Sequence, residues 1–476
     1  MQFPDLTVLS PDEIHQIHEA SVSILETSGV MVASRSVLEL LEKNGAIVDF
    51  DAKTAKLPRK LLEACLKTLP QSFDLYDRNG NKAMTVGSDG PKCASGHNAI
   101  YVIDRKTNER RNSTTKDVEN FAVISDKLED IDIVGVPVMP QDVTPQASLL
   151  YAVKALYENT VKPLFFSTES SAVNASIIKM MKAIAGTGDV SAKPTAISQL
   201  SPTSPLFWEE GAVEALVEVA REGVPLNLLP EPMTGTSAPY SVAGLLTVHN
   251  TEVLSGIVIA QLVRPGCPVM YGSSWTTFDM KNMQAIIGSP ETSLLRVAGC
   301  QMARFYKMPS HTTAPNSDSN AHDEQNAWEK TLSNLCAICA GNDVVMNSGM
   351  FATGLTISLE QLVLDNEING ILRRVRSGID VSAAKIAAEA ICNVGPRGSF
   401  MMEESTFENL RSGEFRETNA SNTMVYGTWL NAGAPDVTVI AAKRVEELLA
   451  GGSANKLDEK LTAELARIIK DFENNL

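Results

Sequence analysis

The chain has 476 residues, 44% of them hydrophobic and 21% charged, and a formal net charge of −16. That is ordinary globular composition, long enough for one elaborated barrel or for two to three domains. The acidic balance argues against a nucleic-acid or acidic-membrane face, because phosphates are met by Lys and Arg. No window reads as the ~20 apolar residues of a membrane span. The start, MQFPDLTVLSPDEIHQIHEA, has neither a basic n-region nor an apolar h-region, so a cytoplasmic protein is expected, its seven scattered cysteines reduced.

In chain order, the first third reads as a separate α/β layer, 1–129. SPDEIHQIHEASVSILETSG opens with a helix-start signal and closes on Gly29. SRSVLELLEKNG and PRKLLEACLKTLP repeat the amphipathic pattern, and FDLYDRNGNKAMTVG and AIYVIDRKTNERRN read as hairpins around polar turns. From Ile131 the rhythm changes. Strand-like runs begin near Ile131, Val161, Lys193, Pro225, Pro268, Pro309 and Val344, each followed by a helical pattern. Spacings of about 30 to 43 residues leave room for a helix in each crossover, so the strands are parallel. Seven or eight such units without a dinucleotide glycine motif predict an α/β fold, a (β/α)8 TIM-type barrel over 130–402. The eighth strand is either GLTIS or the later GSFMM, and two helical patterns in 403–476 complete a C-terminal extension. Cys336 and Cys339 form a CxxC inside a helical run with no second pair, which reads as core packing rather than a metal or redox site.

A barrel of this kind works at the C-terminal ends of its strands. Those ends read VPVMPQ, FFSTES, SQLSPTSP, LLPEPMTGTSAPY, YGSSWTTFDM, TTAPNSDSNAHDEQ and NSGMFATG. They hold no lysine placed for a Schiff base, no P-loop, and no metal-ligand triplet, His322 beside Asp323 being the one weak candidate. No metal, flavin or nicotinamide is therefore expected to be held tightly. What the ends do hold is aromatic and neutral hydrogen-bonding groups: Trp208, Tyr240, Tyr271, Trp275, Phe278 and Phe351 all fall on or beside them. Two readings stay open. The rings pack beneath the loops, or Trp208, Tyr271, Trp275 and Phe351 form a cage for a quaternary ammonium group, which aromatic faces bind without hydrogen bonds. In the second reading Glu231 and Asp318 supply negative charge and a catalytic environment; in the first they cap loops. Asn347 is a polar neighbour, and so is His97, whose Gly-rich turn CASGHNAIY can reach over the mouth.

Longer ordered stretches carry a resemblance. LPEPMTGTSAPYSVAGLLTVHNTEVLSGIVIAQLVRPGCPVMYG, GSPETSLLRVAGCQMARFYKMPS, DEQNAWEKTLSNLCAICAGNDVV and the N-terminal LLEKNGAIVD resemble the trimethylamine methyltransferase family of corrinoid-dependent enzymes. The resemblance covers nearly the whole chain. It implies a (β/α)8 barrel that passes a methyl group from a methylated amine to the Co(I) of cobalamin, carried by a separate corrinoid protein. The founding trimethylamine enzymes carry pyrrolysine in the loop after the sixth strand. Here that loop, NSDSNAHDEQ, has ordinary residues only. The resemblance thus implies a non-pyrrolysine member acting on a quaternary amine such as glycine betaine, proline betaine, carnitine or γ-butyrobetaine. It is expected to be a homo-oligomer. GSFMMEESTFENLRSGEFRETN departs from the His-containing, more aromatic segment of the family. The alternatives from other classes are a betaine-binding protein without catalysis and a barrel lyase on a carboxylated substrate.

Overall fold

The computed structural model describes residues 5–167, 170–418 and 420–476. Eight parallel strands form the central sheet: β1 Lys92–Ser95, β2 Val134–Gly135, β3 Leu164–Ser167, β4 Ala196–Leu200, β5 Leu226–Leu228, β6 Val269–Ser273, β7 Ser310–Thr313 and β8 Val344–Ser348. They pair in that order, and β8 pairs with β1. A parallel bridge from Ala94 to Ile133 brings β1 beside β2, so the sheet curls into a nearly closed barrel. Each strand is followed by its helix: α1 Thr115–Lys127, α2 Ser148–Asn159, α3 Ser171–Ala185, α4 Glu210–Glu222, α5 Val242–Val263, α6 Pro290–Phe305, α7 Glu324–Cys339 and α8 Leu359–Ser377.

All seven strand-like runs read from the sequence are strands. The remaining one is a correction. It is KCAS of β1, inside the expected N-terminal layer and upstream of residue 130, and neither GLTIS nor GSFMM joins the barrel. Thr356–Ile357, within GLTIS, instead pairs with Met350–Phe351 and Tyr101–Ile103 in a small sheet over one side of the mouth. KCAS was hard to read because it is four residues long with a Lys and a Ser at its ends. With β1 counted, the NSDSNAHDEQ loop follows the seventh strand rather than the sixth.

The N-terminal helix Pro11–Thr27 starts on a reciprocal Ser10–Glu13 capping box, as its sequence signals. It packs along α5, which has no distinct polar face and is buried along most of its length. By length and composition α5 could cross a membrane, against the expectation that no window approaches that; 72% of its most apolar window is buried inside the protein. At the lower end of the barrel, Phe73, Leu75, Met84 and Val86 of the first hairpin plug the lumen against Ala94, Ile133, Ile197, Met270 and Val344. The opposite, C-terminal end is therefore where a ligand can enter.

Candidate active site

Successive residues of a strand point to opposite faces. On β6 this puts Met270 and Gly272 in the lumen and Tyr271 and Ser273 on the outside, against α5 and α6. Gly272 is required there: a Cβ would lie 2.4 Å from the Leu228 carbonyl oxygen and 2.6 Å from Asn227 Oδ1. Its absence leaves room for a polar layer across the lumen. The Asn227 amide donates to Gln199 Oε1 and to His311 Nδ1, both at 3.3 Å. Accepting at Nδ1 places the His311 proton on Nε2, which has no partner among the described residues, and neither has Asn227 Oδ1 or His97 Nδ1. Phe165 separates the two imidazoles, with His311 stacked on it and His97 edge-on, each at 5.4 Å. Burial drives both rings toward the neutral form, His97 down to about 4 and His311 to about 3. This is the floor of a well.

Its wall is built at the strand ends. Glu231 follows β5 and meets Ser274, whose Oγ accepts from Thr313 Oγ1 at 3.4 Å. Protein surrounds the Glu231 carboxyl, which raises its pKa, yet the residue as a whole is open to solvent. These two observations fit a side chain that lines a cavity, desolvated by its walls but reachable from the mouth. On the other side, β8 breaks register between Met346 and Ser348, and the residue between them, Asn347, has φ +147°. A bulge with a strained non-glycine residue re-aims a side chain, a device common beside functional sites. Asn347 meets the side chain of Asn316 at 2.7 Å.

A loop carries Asn316 and the end of β8 carries Asn347, and one buried ion pair holds both segments. Lys330 Nζ donates to Asp365 at 2.8 Å and to the Pro315 carbonyl at 3.3 Å, while Asp365 accepts from the Gly349 N–H at 2.6 Å. The polar run 316–325 is tied both to itself and to its neighbours. Glu329 accepts from Ser317 Oγ and the Asp318 N–H, and Ser319 donates to Asp323, which caps α7.

Of the residues singled out in the sequence, the well gathers His97, Glu231 and Asn347. The aromatic cage does not form. Trp208 is 1% exposed and donates from its indole to Ser255 on α5. Tyr271 donates to Asn250 Oδ1 at 3.1 Å, and Trp275 lies 4.6 Å from the His249 ring and against Gly299. All three belong to the layer between barrel and helices. Phe351 packs on His322, with the rings 5.1 Å apart. Asp318 is a loop staple: its carboxylate accepts from the Ile287 and Gly288 N–H groups and from Thr353 Oγ1. Thr168 and Glu169 of the rim stretch FFSTES lie outside the described residues. Sequence reading missed Phe165, Gln199, Asn227, Ser274 and His311, which strand parity alone marks as inward once β6 is phased on Gly272.

Among the described residues the arrangement brings together the Glu231 carboxylate, neutral imidazoles and amides, without a paired acid and base. A groove of about 630 Å3 elsewhere, between α3 and the last helix, is lined by Lys182, Glu464, Arg467 and Asp471. Those charges are already paired.

The family model described as trimethylamine methyltransferase (MTTB) matches residues 1–475. The chain belongs to the trimethylamine methyltransferase family. It is 32% identical over 470 residues to trimethylamine methyltransferase MttB of Desulfitobacterium hafniense, covering 98% of this chain and 94% of that one. It is 30% identical over 471 residues to glycine betaine methyltransferase of Desulfitobacterium hafniense strain Y51, covering 98% and 97%. The monomethylamine methyltransferase MtmB of Methanosarcina barkeri superposes with a TM-score of 0.51 at 11% identity, over 99% of this chain and 96% of that one, which supports the TIM-barrel fold. The protein is thus a methyltransferase, and the lyase alternative falls.

Proposed function

We propose that this member moves a methyl group from a quaternary amine of the betaine class to the Co(I) of cobalamin on a separate corrinoid protein. The observation that carries this reading is the 316–325 loop. Its side chains are ordinary residues tied into the loop and its neighbours, so nothing there can form an adduct with a tertiary amine. A quaternary nitrogen needs no such help. The Co(I) electron pair forms the new cobalt–carbon bond, the C–N bond breaks, and its electron pair leaves on a neutral tertiary amine. Cobalt becomes formally Co(III), and no proton moves. The protein's work is to bind the cation, with Glu231 as the counter-charge, and to hold one methyl toward the mouth, where orientation alone contributes several kcal/mol. Neutral His97 and His311 suit this task, since an imidazolium would repel the substrate.

The test mixes the purified enzyme with a reduced corrinoid protein and a panel of methylated amines, following corrinoid methylation by its absorbance. Turnover of a betaine and none of trimethylamine is expected. Trimethylamine turnover matching that of the best betaine would sink the reading, and binding of betaines without any methylation would favour the non-catalytic alternative.

The same reading includes a homo-oligomer. The short helices Ala383–Ile386, Ala388–Val394, Glu404–Arg411 and Tyr426–Asn431 bury no residue. Met401, Met402, Leu410, Phe415, Val425 and Tyr426 there are each more than 70% exposed. Patches of this kind mark interfaces. A segment without a core of its own needs a permanent cover, and a second copy provides one, whereas a corrinoid protein must come and go. Light scattering that finds a monomer at micromolar concentration would remove this part.

A further inference from the structure

Lys330 of α7 and Asp365 of α8 are both fully buried, with Nζ 2.8 Å from Oδ2. Burial pushes the lysine pKa down and the aspartate pKa up, each toward its neutral form, and chiefly the partner's charge opposes this. Such a pair is a poor stabiliser, because apolar side chains of the same volume hold two helices together as well or better. Elsewhere α7 and α8 use that cheaper solution, with Ala337, Ile338 and Leu372 in one apolar cluster.

What apolar side chains cannot do is hold backbone. Lys330 also donates to the Pro315 carbonyl at 3.3 Å, while Asp365 accepts from the Gly349 N–H at 2.6 Å and from Gln361 Nε2 at 2.9 Å. Pro315 adjoins Asn316, Gly349 stands two residues after Asn347, and the two asparagine side chains meet at 2.7 Å. The contacts therefore close a ring through Asn316, Pro315, Lys330, Asp365, Gly349 and Asn347. Inside it lies the register break of β8, where Asn347 has φ +147°. A side-chain-bearing residue keeps such a conformation where its surroundings over-determine it. The Ser348 and Gly349 carbonyls are tied to the Gly96 and Ser358 N–H groups, at 2.7 and 3.1 Å, and Asp365 supplies the tie to the Gly349 N–H.

We infer that Lys330 and Asp365 are positioning residues for methyl transfer, fixing the β8 bulge so that Asn347 keeps its place on the wall across the well from Glu231. This rests on the corrinoid-transfer reading and not on the choice of amine. Glu231 holds the cation whether or not the bulge is firm, whereas in-line attack needs the methyl group held still. A loosened bulge should therefore cost rate and spare binding.

Two double variants of the full-length protein test this. Lys330→Met with Asp365→Leu fills the space with apolar atoms and frees the Gly349 N–H. Lys330→Met with Asp365→Asn also removes both charges but keeps an oxygen for that N–H. Corrinoid methylation is followed at saturating reduced corrinoid protein with glycine betaine, or with trimethylamine should the wild type use that instead. Amine binding is measured by calorimetry without corrinoid. The Met/Leu pair should keep its unfolding midpoint within about 5 °C of the wild type. Its kcat should fall tenfold or more while amine affinity stays within threefold. The Met/Asn pair should restore kcat to within threefold of the wild type. A pair that only holds two helices together would instead make activity follow the midpoint in both. Wild-type turnover in Met/Leu, equal loss of kcat in the two variants, or amine affinity lost in step with kcat overturns the inference. If Met/Leu does not fold, Asn347→Ala with the ion pair intact decides: a tenfold loss of kcat at unchanged affinity supports the positioning role, and unchanged kcat ends it. If the wild type methylates no corrinoid with any amine, the earlier reading fails and takes the inference with it.

Discussion

The two faces of β6 separate two kinds of chemistry on one short strand. Inward, Met270 packs against the plug while Gly272 leaves space and Ser274 a hydroxyl; outward, Tyr271 and Trp275 fill the layer shared with α5 and α6. A shift of one residue exchanges the faces. The bulky rings of this strand therefore serve stability, and the small groups open the lumen for a substrate.

The outer face should break most visibly. Trp275 is 3% exposed, packed on His249 and Gly299, and its indole N–H has no partner among the described residues, so no hydrogen bond among them is lost with it. Trp275→Ala leaves a cavity and should cost about 3–5 kcal/mol in denaturant unfolding. The betaine affinity of the folded fraction should stay as it is. An affinity loss without a stability loss would put the ring in the site and reverse the comparison.

A second test sets two carboxylates against each other. Glu252, on α5 in the outer layer, is fully buried and accepts from the Leu206 N–H at 2.7 Å and Ser204 Oγ at 2.8 Å, with no cation beside it. Burial pushes it up to about 7 from an ordinary 4.5. The folded state thus holds this proton more tightly than the unfolded one. Its contribution to stability is fully present below about pH 4.5 and is lost as pH rises toward about 7, a change of about 3 kcal/mol. Glu252→Gln should flatten that part of the stability–pH curve. A curve unchanged by the substitution would assign the slope to other groups.

How much of this was legible follows the same division. Repeating βα units are a long-range pattern, so seven strands and the barrel were readable from spacing, while KCAS was too short and too polar to announce itself. The candidate site was half legible. Glu231 and His97 stand in loops at strand ends and Asn347 at the end of β8, where position alone predicts a place at the mouth. Trp208, Tyr271 and Trp275 were misplaced because closeness to a strand end says nothing of which face a side chain takes. Asp318 has the right loop and the wrong partners, since nothing in NSDSNAHDEQ reveals that the Ile287 and Gly288 amides wait for it. The Lys330–Asp365 pair depends on contacts between distant elements, which no local pattern encodes.

The inner face should yield the smaller but more specific effect. Glu231 is the proposed counter-charge, and exchanging it for an amide keeps its size and its contact with Ser274. Glu231→Gln should leave the unfolding midpoint within a degree or two. It should weaken betaine binding by about 2 kcal/mol, roughly 30-fold, the scale of one contact with a charged group. The pH dependence separates charge from shape. In the free enzyme, burial holds the Glu231 pKa above the usual carboxylate range. As pH falls through that raised value the group takes a proton, its attraction for a permanent cation disappears, and affinity declines. A quaternary ammonium does not titrate, and His97 and His311 stay neutral down to about 4 and about 3, so neither substrate nor imidazoles mimic this decline above that range. Calorimetric affinities should therefore rise with pH through that raised value in the wild type and run flat in Glu231→Gln. A wild-type profile as flat as the variant's would take the counter-charge away from Glu231.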